Sequence, residues 1–217
     1  MAKIKSIITD IDKLSARADE VNLEADKFLI ETIVSNLKST LRANSKLSSL
    51  TAPQIGYNRR IFCINFEGDI HTFINPMITD SKGLALVKET CISIPGKVFI
   101  RPRNEEIVCT YQTPTGTNEV NRFKGLASQL FQHAMDHLEG ISLLDIGLEI
   151  DDAFDKATDE ERNELLDAYM KTLDTKKKAL DEEIEKTPEL KQISDAIKFM
   201  EGVQTGKITL EDKDNKK

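Results

Sequence analysis

The chain has 217 residues, of which 39% are hydrophobic and 31% charged, with a formal net charge of −7. That length and balance suit a soluble globular body with an appendage and exclude a small disulfide-stapled peptide. No apolar run approaches the roughly 18 residues of a membrane span, and the bases are scattered rather than striped, which argues against membrane and nucleic acid as partners.

The opening MAKIKSIITDID holds no apolar core of signal-peptide length. Cys63, Cys91 and Cys109 are therefore expected to be reduced thiols in a cytoplasmic setting. From Val21 to Arg42, Leu29, Ile33, Leu37 and Leu41 recur every fourth position with Val34 beside them, the stripe of an amphipathic helix. The period then changes. Residues 60–66, 71–78, 97–101 and 105–113 are short, rich in Ile, Val, Phe and Tyr, and punctuated by Gly, Pro, Asn or Asp, which predicts strands. A second helix is expected over 125–140, closed near Gly140. Helix, strands, helix in that order predicts an α+β body.

The acidic excess is uneven. Residues 148–217 hold 20 Asp and Glu against 13 Lys and Arg, leaving 17 of each sign in residues 1–147. The expected division is a body over 1–150 and a charged helical extension over 151–217. Thr158 and Glu161 form a capping-box pattern, and Leu165, Tyr169, Leu173, Leu180 and Ile184 continue at imperfect helical spacing, interrupted by Lys176, Lys177 and Lys178. Thr187-Pro188 restarts a helix with Leu190, Ile193 and Ile197 on one side, ending at Gly202, before a frayed tail over 207–217. The extension is either a solvated appendage or a docking surface for a protein partner.

Two of the three histidines, His133 and His137, lie four apart, on one face of the second helix. Such a pair either shares a metal ion or is a pair of buried, hydrogen-bonded imidazoles, and a third ligand decides between them. Cys91, in a segment bounded by Gly and Pro, is the candidate; a thiolate with two imidazoles leaves a fourth tetrahedral position open, the arrangement of a catalytic site. Cys63 and Cys109 fall within predicted strands and read as small core residues.

Three ordered motifs resemble the peptide deformylases. They are Leu50-Thr51-Ala52-Pro53-Gln54-Ile55-Gly56, then Glu89-Thr90-Cys91-Ile92-Ser93 with Ile94-Pro95, then Gln132-His133-Ala134-Met135-Asp136-His137-Leu138-Glu139-Gly140. Ile74-Asn75-Pro76 and Arg103 also fit, and the resemblance spans residues 5–148. It implies a body of antiparallel strands around a metal-bearing helix, and a hydrolase that removes formyl from the N-terminal methionine of nascent peptides. By that resemblance Cys91, His133 and His137 hold a divalent metal, commonly Fe2+, with Zn2+, Ni2+ or Co2+ able to replace it. The Gln54 side chain and the Ile92 backbone amide stabilise the oxyanion, Asp136 orients a ligand histidine, and Glu89 pairs with Arg103 to hold the cysteine loop.

The departures carry their own implications. The family has glutamate after the first histidine, where this chain has Ala134, and a methyl group moves no proton; losing a general acid-base typically costs about 10²- to 10⁴-fold. Leu47-Ser48-Ser49 replaces a Gly-x-Gly stretch of the peptide cleft, Thr90 replaces a glycine, and Gln129 puts an amide where the family lines its methionine pocket with an apolar residue. An unsatisfied amide there would disfavour methionine. Two readings follow: a deformylase of weak or absent activity, or a non-catalytic descendant serving a larger assembly through its extension.

Overall fold

The computed structural model describes residues 2–188, 190, 191, 194 and 195, and its body is organised around one strand that is apolar on both sides. Along β2 (Ile61–Phe66) successive side chains point to opposite faces. Ile61 and Cys63 join an apolar cluster with Ile33, Leu37 and Leu41, whereas Phe62 and Ile64 join another with Phe73, Phe131 and Leu138. Each face needs a cover, and the helices α1 (Lys27–Ala43) and α2 (Leu126–Leu138) supply one apiece. The rings of Phe62, Phe73 and Phe131 lie within 5.2 Å of one another, centroid to centroid. Burying each such side chain contributes about 1.5–3 kcal/mol before entropy is counted.

Around β2 runs a five-stranded antiparallel sheet ordered β1 (Ser49–Thr51), β2, β3 (Asp69–Lys82), β6 (Glu106–Gln112), β7 (Asn118–Lys124). A three-stranded antiparallel sheet ordered β4 (Ala85–Cys91), β5 (Ile94–Arg103), β8 (Leu148–Ile150) carries Cys91 at the end of its outer strand. The class is α+β, as the sequence implies, but β1, β4, β7 and β8 add strands to those expected. The first helix also starts later than Val21. Asn22 Oδ1 accepts from the amides of Glu24 and Ala25 and Asp26 Oδ2 accepts from Asn22 N, side-chain bonds that compete with helix formation over 22–26. Its buried face is Ile30, Ile33, Val34, Leu37 and Leu41, with Leu29 only half-buried.

The strand β3 is longer than the expected 71–78 because it survives two irregularities, one of them between Ile74 and Met77. Pro76 has no N–H for the ladder, and Asn75 takes a left-handed φ of +47°, which asparagine tolerates better than most residues. The Asn75 amide bonds Val21 through both of its atoms, accepting from Val21 N (3.0 Å) and donating to Val21 O (2.8 Å). Just past α2, Gly140 adopts φ +73°, and a Cβ there would stand 2.3 Å from Ser15 O, so glycine is required twice over.

The chain divides into two compact units, Met1–Asp152 and Ala153–Lys217. Short helices α3 (Leu143–Ile146) and α4 (Asp152–Lys156) precede α5 (Asp159–Lys186), which runs unbroken through Lys176, Lys177 and Lys178. Its start is the expected capping box: Thr158 Oγ1 accepts from Glu161 N (3.2 Å) and Glu161 Oε2 accepts from Thr158 N (2.8 Å). Residues 188, 190 and 191 are helical again, and Lys191 N donates to Thr187 O (2.9 Å). Ile193, Ile197, Gly202 and the tail over 207–217 lie outside the described residues. Among the described residues no helix is long and apolar enough to cross a membrane.

Candidate metal centre

The pitch of α2 sets His133 and His137 one turn apart, with ring centroids 5.1 Å from each other. The register of β4 brings Cys91 to them: its Sγ lies 3.2 Å from His137 Nε2, and one ligand atom from each of Cys91, His133 and His137 falls within 4.8 Å of the others. Cys63 and Cys109 lie elsewhere, fully buried, and burial pushes their thiols up to about 11 and about 12, which keeps them inert. At Cys91 burial also acts upward, but the contacts with His133 and His137 outweigh it and hold the thiol at about 5. Burial pushes His133 down, yet Cys91 and Glu89 raise it to about 9. A thiolate beside two imidazoles is a donor set that zinc and the later first-row transition metals accept, so these residues fit the divalent ion that the motifs imply.

A buried charge network stands behind the three side chains. Glu89 receives a two-pronged grip from Arg103, Nε to Oε1 at 2.6 Å and Nη2 to Oε2 at 2.8 Å, and both side chains are 3% exposed. His133 Nδ1 lies 3.0 Å from Glu89 Oε2, an arrangement that makes Nδ1–H the donor and leaves Nε2 for the cysteine side. Burial acts to raise the Glu89 carboxyl, but Arg103 and His133 hold it at about 2. Removing one partner of such a buried pair typically costs about 3–5 kcal/mol.

Asp136 corrects one expectation. Its Oδ2 accepts from Arg101 and from Arg103 Nη1 (2.6 Å), so it meets two guanidiniums, and the carboxylate that touches an imidazole is that of Glu89. Arg101 was not anticipated. The signal available for it was a pair of arginines two apart in the otherwise apolar run VFIRPR, which a strand places on one face.

The opening of the site is a cleft of about 370 Å³ whose lining includes Ser48, Ser49, Gln54, Glu89, Thr90, Ile92, Gln129 and His133. Most of the positions singled out in sequence therefore meet in one place. The Gln54 amide is aimed: its Oε1 accepts from Thr51 N (3.0 Å) and Thr51 Oγ1 (3.1 Å), which turns Nε2 toward Ser93 Oγ (3.1 Å) and Cys91 Sγ (3.7 Å). Gln129 Nε2 donates to Lys88 O (3.3 Å), so the amide in the cleft has a partner. Ala134 is fully buried against Phe131 and Leu138. At about 100° per residue it sits roughly 60° around the helix from His137, on the boundary between the ligand face and the core face.

A family model described as polypeptide deformylase matches residues 4–151. A peptide deformylase of Dictyoglomus turgidum is 34% identical over 147 residues, 68% of this chain and 93% of that protein. Among solved structures, the peptide deformylase from Thermotoga maritima aligns with a TM-score of 0.59 at 29% identity, covering 67% of this chain and 96% of that one. A class I type b peptide deformylase from Acinetobacter baumannii, solved with Met-Ala-Ser bound, shares the fold with a TM-score of 0.62 at 21% identity, over 67% of this chain and 99% of that one. On the family-model match over residues 4–151 and the 34% identity to a curated member across most of that protein's length, the chain belongs to the polypeptide deformylase family.

Proposed function

We propose that this protein is a cytoplasmic, metal-dependent amide hydrolase of the deformylase type, taking N-formyl-methionyl peptides, with turnover held low by the methyl group at Ala134. The observation that carries the reading is the meeting of Cys91, His133 and His137 within 4.8 Å beside the aimed amide of Gln54. A divalent ion bound there (Fe2+ by family habit, with Zn2+, Ni2+ or Co2+ suited to the same donors) would supply Lewis acidity and would lower the pKa of a water toward neutrality. In this reading Gln54 Nε2–H donates to the developing oxyanion with the Ile92 backbone amide as the second donor; each such donor is worth roughly 2.7–4 kcal/mol. Ser48, Ser49, Thr90 and Gln129 line the cleft that receives the peptide.

Among the described residues of the cleft no side chain takes the place of a proton carrier. Among the described residues lining the cleft, Glu89 is the carboxylate present, and at about 2, gripped by Arg103 and His133, it is too weak a base to accept a proton at neutral pH. Glu139 is committed elsewhere, to Arg60 (2.7 Å) and Arg17 (2.9 Å). A second reading rests on the same alanine: a non-catalytic member that keeps the metal as a clamp and binds a protein through residues 151–217.

One experiment separates these readings. Protein loaded anaerobically with Fe2+ should carry close to one ion per chain, and Cys91→Ser should lose it. In the loaded protein Ala134→Glu should raise hydrolysis of formyl-Met peptides by about 10²- to 10⁴-fold. Failure to take up metal sinks the hydrolase reading; uptake without any gain in Ala134→Glu leaves the non-catalytic one standing.

A further inference from the structure

We infer that Arg101 is a positioning residue for the candidate metal centre, acting through Asp136 and Arg103 on Glu89 and so on the ring of His133. The inference rests on the metal-site reading above and concerns a residue that touches none of the three candidate ligands.

Arg103 has three donors in use: Nε and Nη2 hold the two oxygens of Glu89, and Nη1 holds Asp136 Oδ2. One guanidinium is therefore shared by two carboxylates. Arg101 donates to that same Asp136 oxygen, and Val87 opposite it in β4 fixes its place on the strand. With Arg101 present the four side chains hold two positive and two negative charges. All four are largely out of water: Arg103 and Glu89 are 3% exposed, Arg101 17% and Asp136 16%. Without Arg101 the group carries an uncompensated buried negative charge, and Asp136 competes with Glu89 for Arg103. Glu89 Oε2 is the oxygen that also meets His133 Nδ1, so any loosening of the Arg103 grip reaches the ring that must present Nε2 to a cation.

The test uses the full chain and Co2+ as probe, reading affinity by calorimetry and the visible d–d band of the bound ion. Arg101→Gln should weaken Co2+ binding by about 10- to 100-fold and shift the band, the range seen when groups that orient metal ligands are removed. Arg101→Lys, which keeps a cation for Asp136, should recover most of both. In an Asp136→Asn background the effect of Arg101→Gln should largely vanish, since the charge that Arg101 serves is gone; this double variant also keeps the test alive if Arg101→Gln alone fails to fold. Lys97→Gln, which lies on the same strand as Arg101 and removes an exposed pair with Glu149 of β8, should leave affinity and band unchanged. Unchanged Co2+ affinity and spectrum in Arg101→Gln overturns the role of Arg101. Equal losses in the Gln and Lys variants with the band unmoved also overturn it, as mere packing. If the unmodified chain takes up no Co2+, the metal site itself falls and this inference falls with it.

Discussion

Leucines at helical spacing occur in both units of the chain, with opposite fates. In α1 the stripe ends up buried, with Ile33 and Leu37 at 0% exposure, whereas in α5 Leu165 and Leu180 remain 43% and 56% exposed and Tyr169 is the buried residue among those described. The periodicity is a statement about the helix alone. What decides burial is whether a sheet face waits on the other side, and β2 offers one face to α1 and the other to α2. The first unit is thus held by tertiary packing, while α5 depends more on local devices: its cap, its acidic first turn of Asp159, Glu160 and Glu161, and i,i+4 pairs such as Lys186 with Glu182 (3.0 Å).

The largest effect expected on that contrast is at Phe131, fully buried and ringed by Phe62, Phe73 and Phe123 with centroids at 5.0, 5.2 and 5.5 Å. Phe131→Ala should destabilise the first unit by about 3–5 kcal/mol, the cost of lost transfer energy plus the cavity left behind. Hydrogen exchange read segment by segment should show β2, β3 and α2 losing protection by that amount. Loss of the same size in α5 would break the contrast, because it would mean that both units unfold as one.

How much was legible beforehand follows the same line. The candidate ligands could be read because a thiol and two imidazoles are rare residues in ordered motifs, and Gln54 with them; chemistry of that kind is local in sequence. The strands β4 and β7 could not, because ALVKETC and NEVNRFK alternate apolar with charged side chains too weakly for their pattern to stand out, β7 having only Val120 and Phe123 as large apolar residues. Nor could the partners of Asp136: its contacts join α2 to β5, and spacing within one element does not report which arginine arrives from another. Gln129 was readable as a departure but not as a satisfied one, since its acceptor is a backbone carbonyl on β4.

An intermediate effect is expected at the start of α5. Thr158→Ala removes the hydroxyl that accepts from Glu161 N (3.2 Å) and donates to Glu161 Oε2 (2.9 Å), leaving the bond from Thr158 N to Glu161 Oε2 in place, with a cost of about 1 kcal/mol. The first turns of α5 should exchange about five times faster while β2 and α2 keep their rates. An unchanged rate at Glu161 and Arg162 would show that something other than the cap holds that end, and the division into a packed unit and a locally stabilised helix would need redrawing.

The smallest effect is the most informative about the extension. Leu180 is 56% exposed, so Leu180→Ala should change stability by less than about 0.5 kcal/mol, and alanine's higher helix propensity offsets part of the lost contact. The same substitution at Leu37, fully buried, should cost about 2–5 kcal/mol, so the two leucines form a matched pair that differs in surroundings and not in side chain. Thermal melts of both variants over a tenfold range of protein concentration measure this directly. If Leu180→Ala lowers the melting temperature as far as Leu37→Ala, and does so more at high concentration than at low, then Leu180 is covered by a second copy of the chain in solution. In that event the exposed stripe of α5 is an interface and the contrast between the two units is one of partner, not of packing.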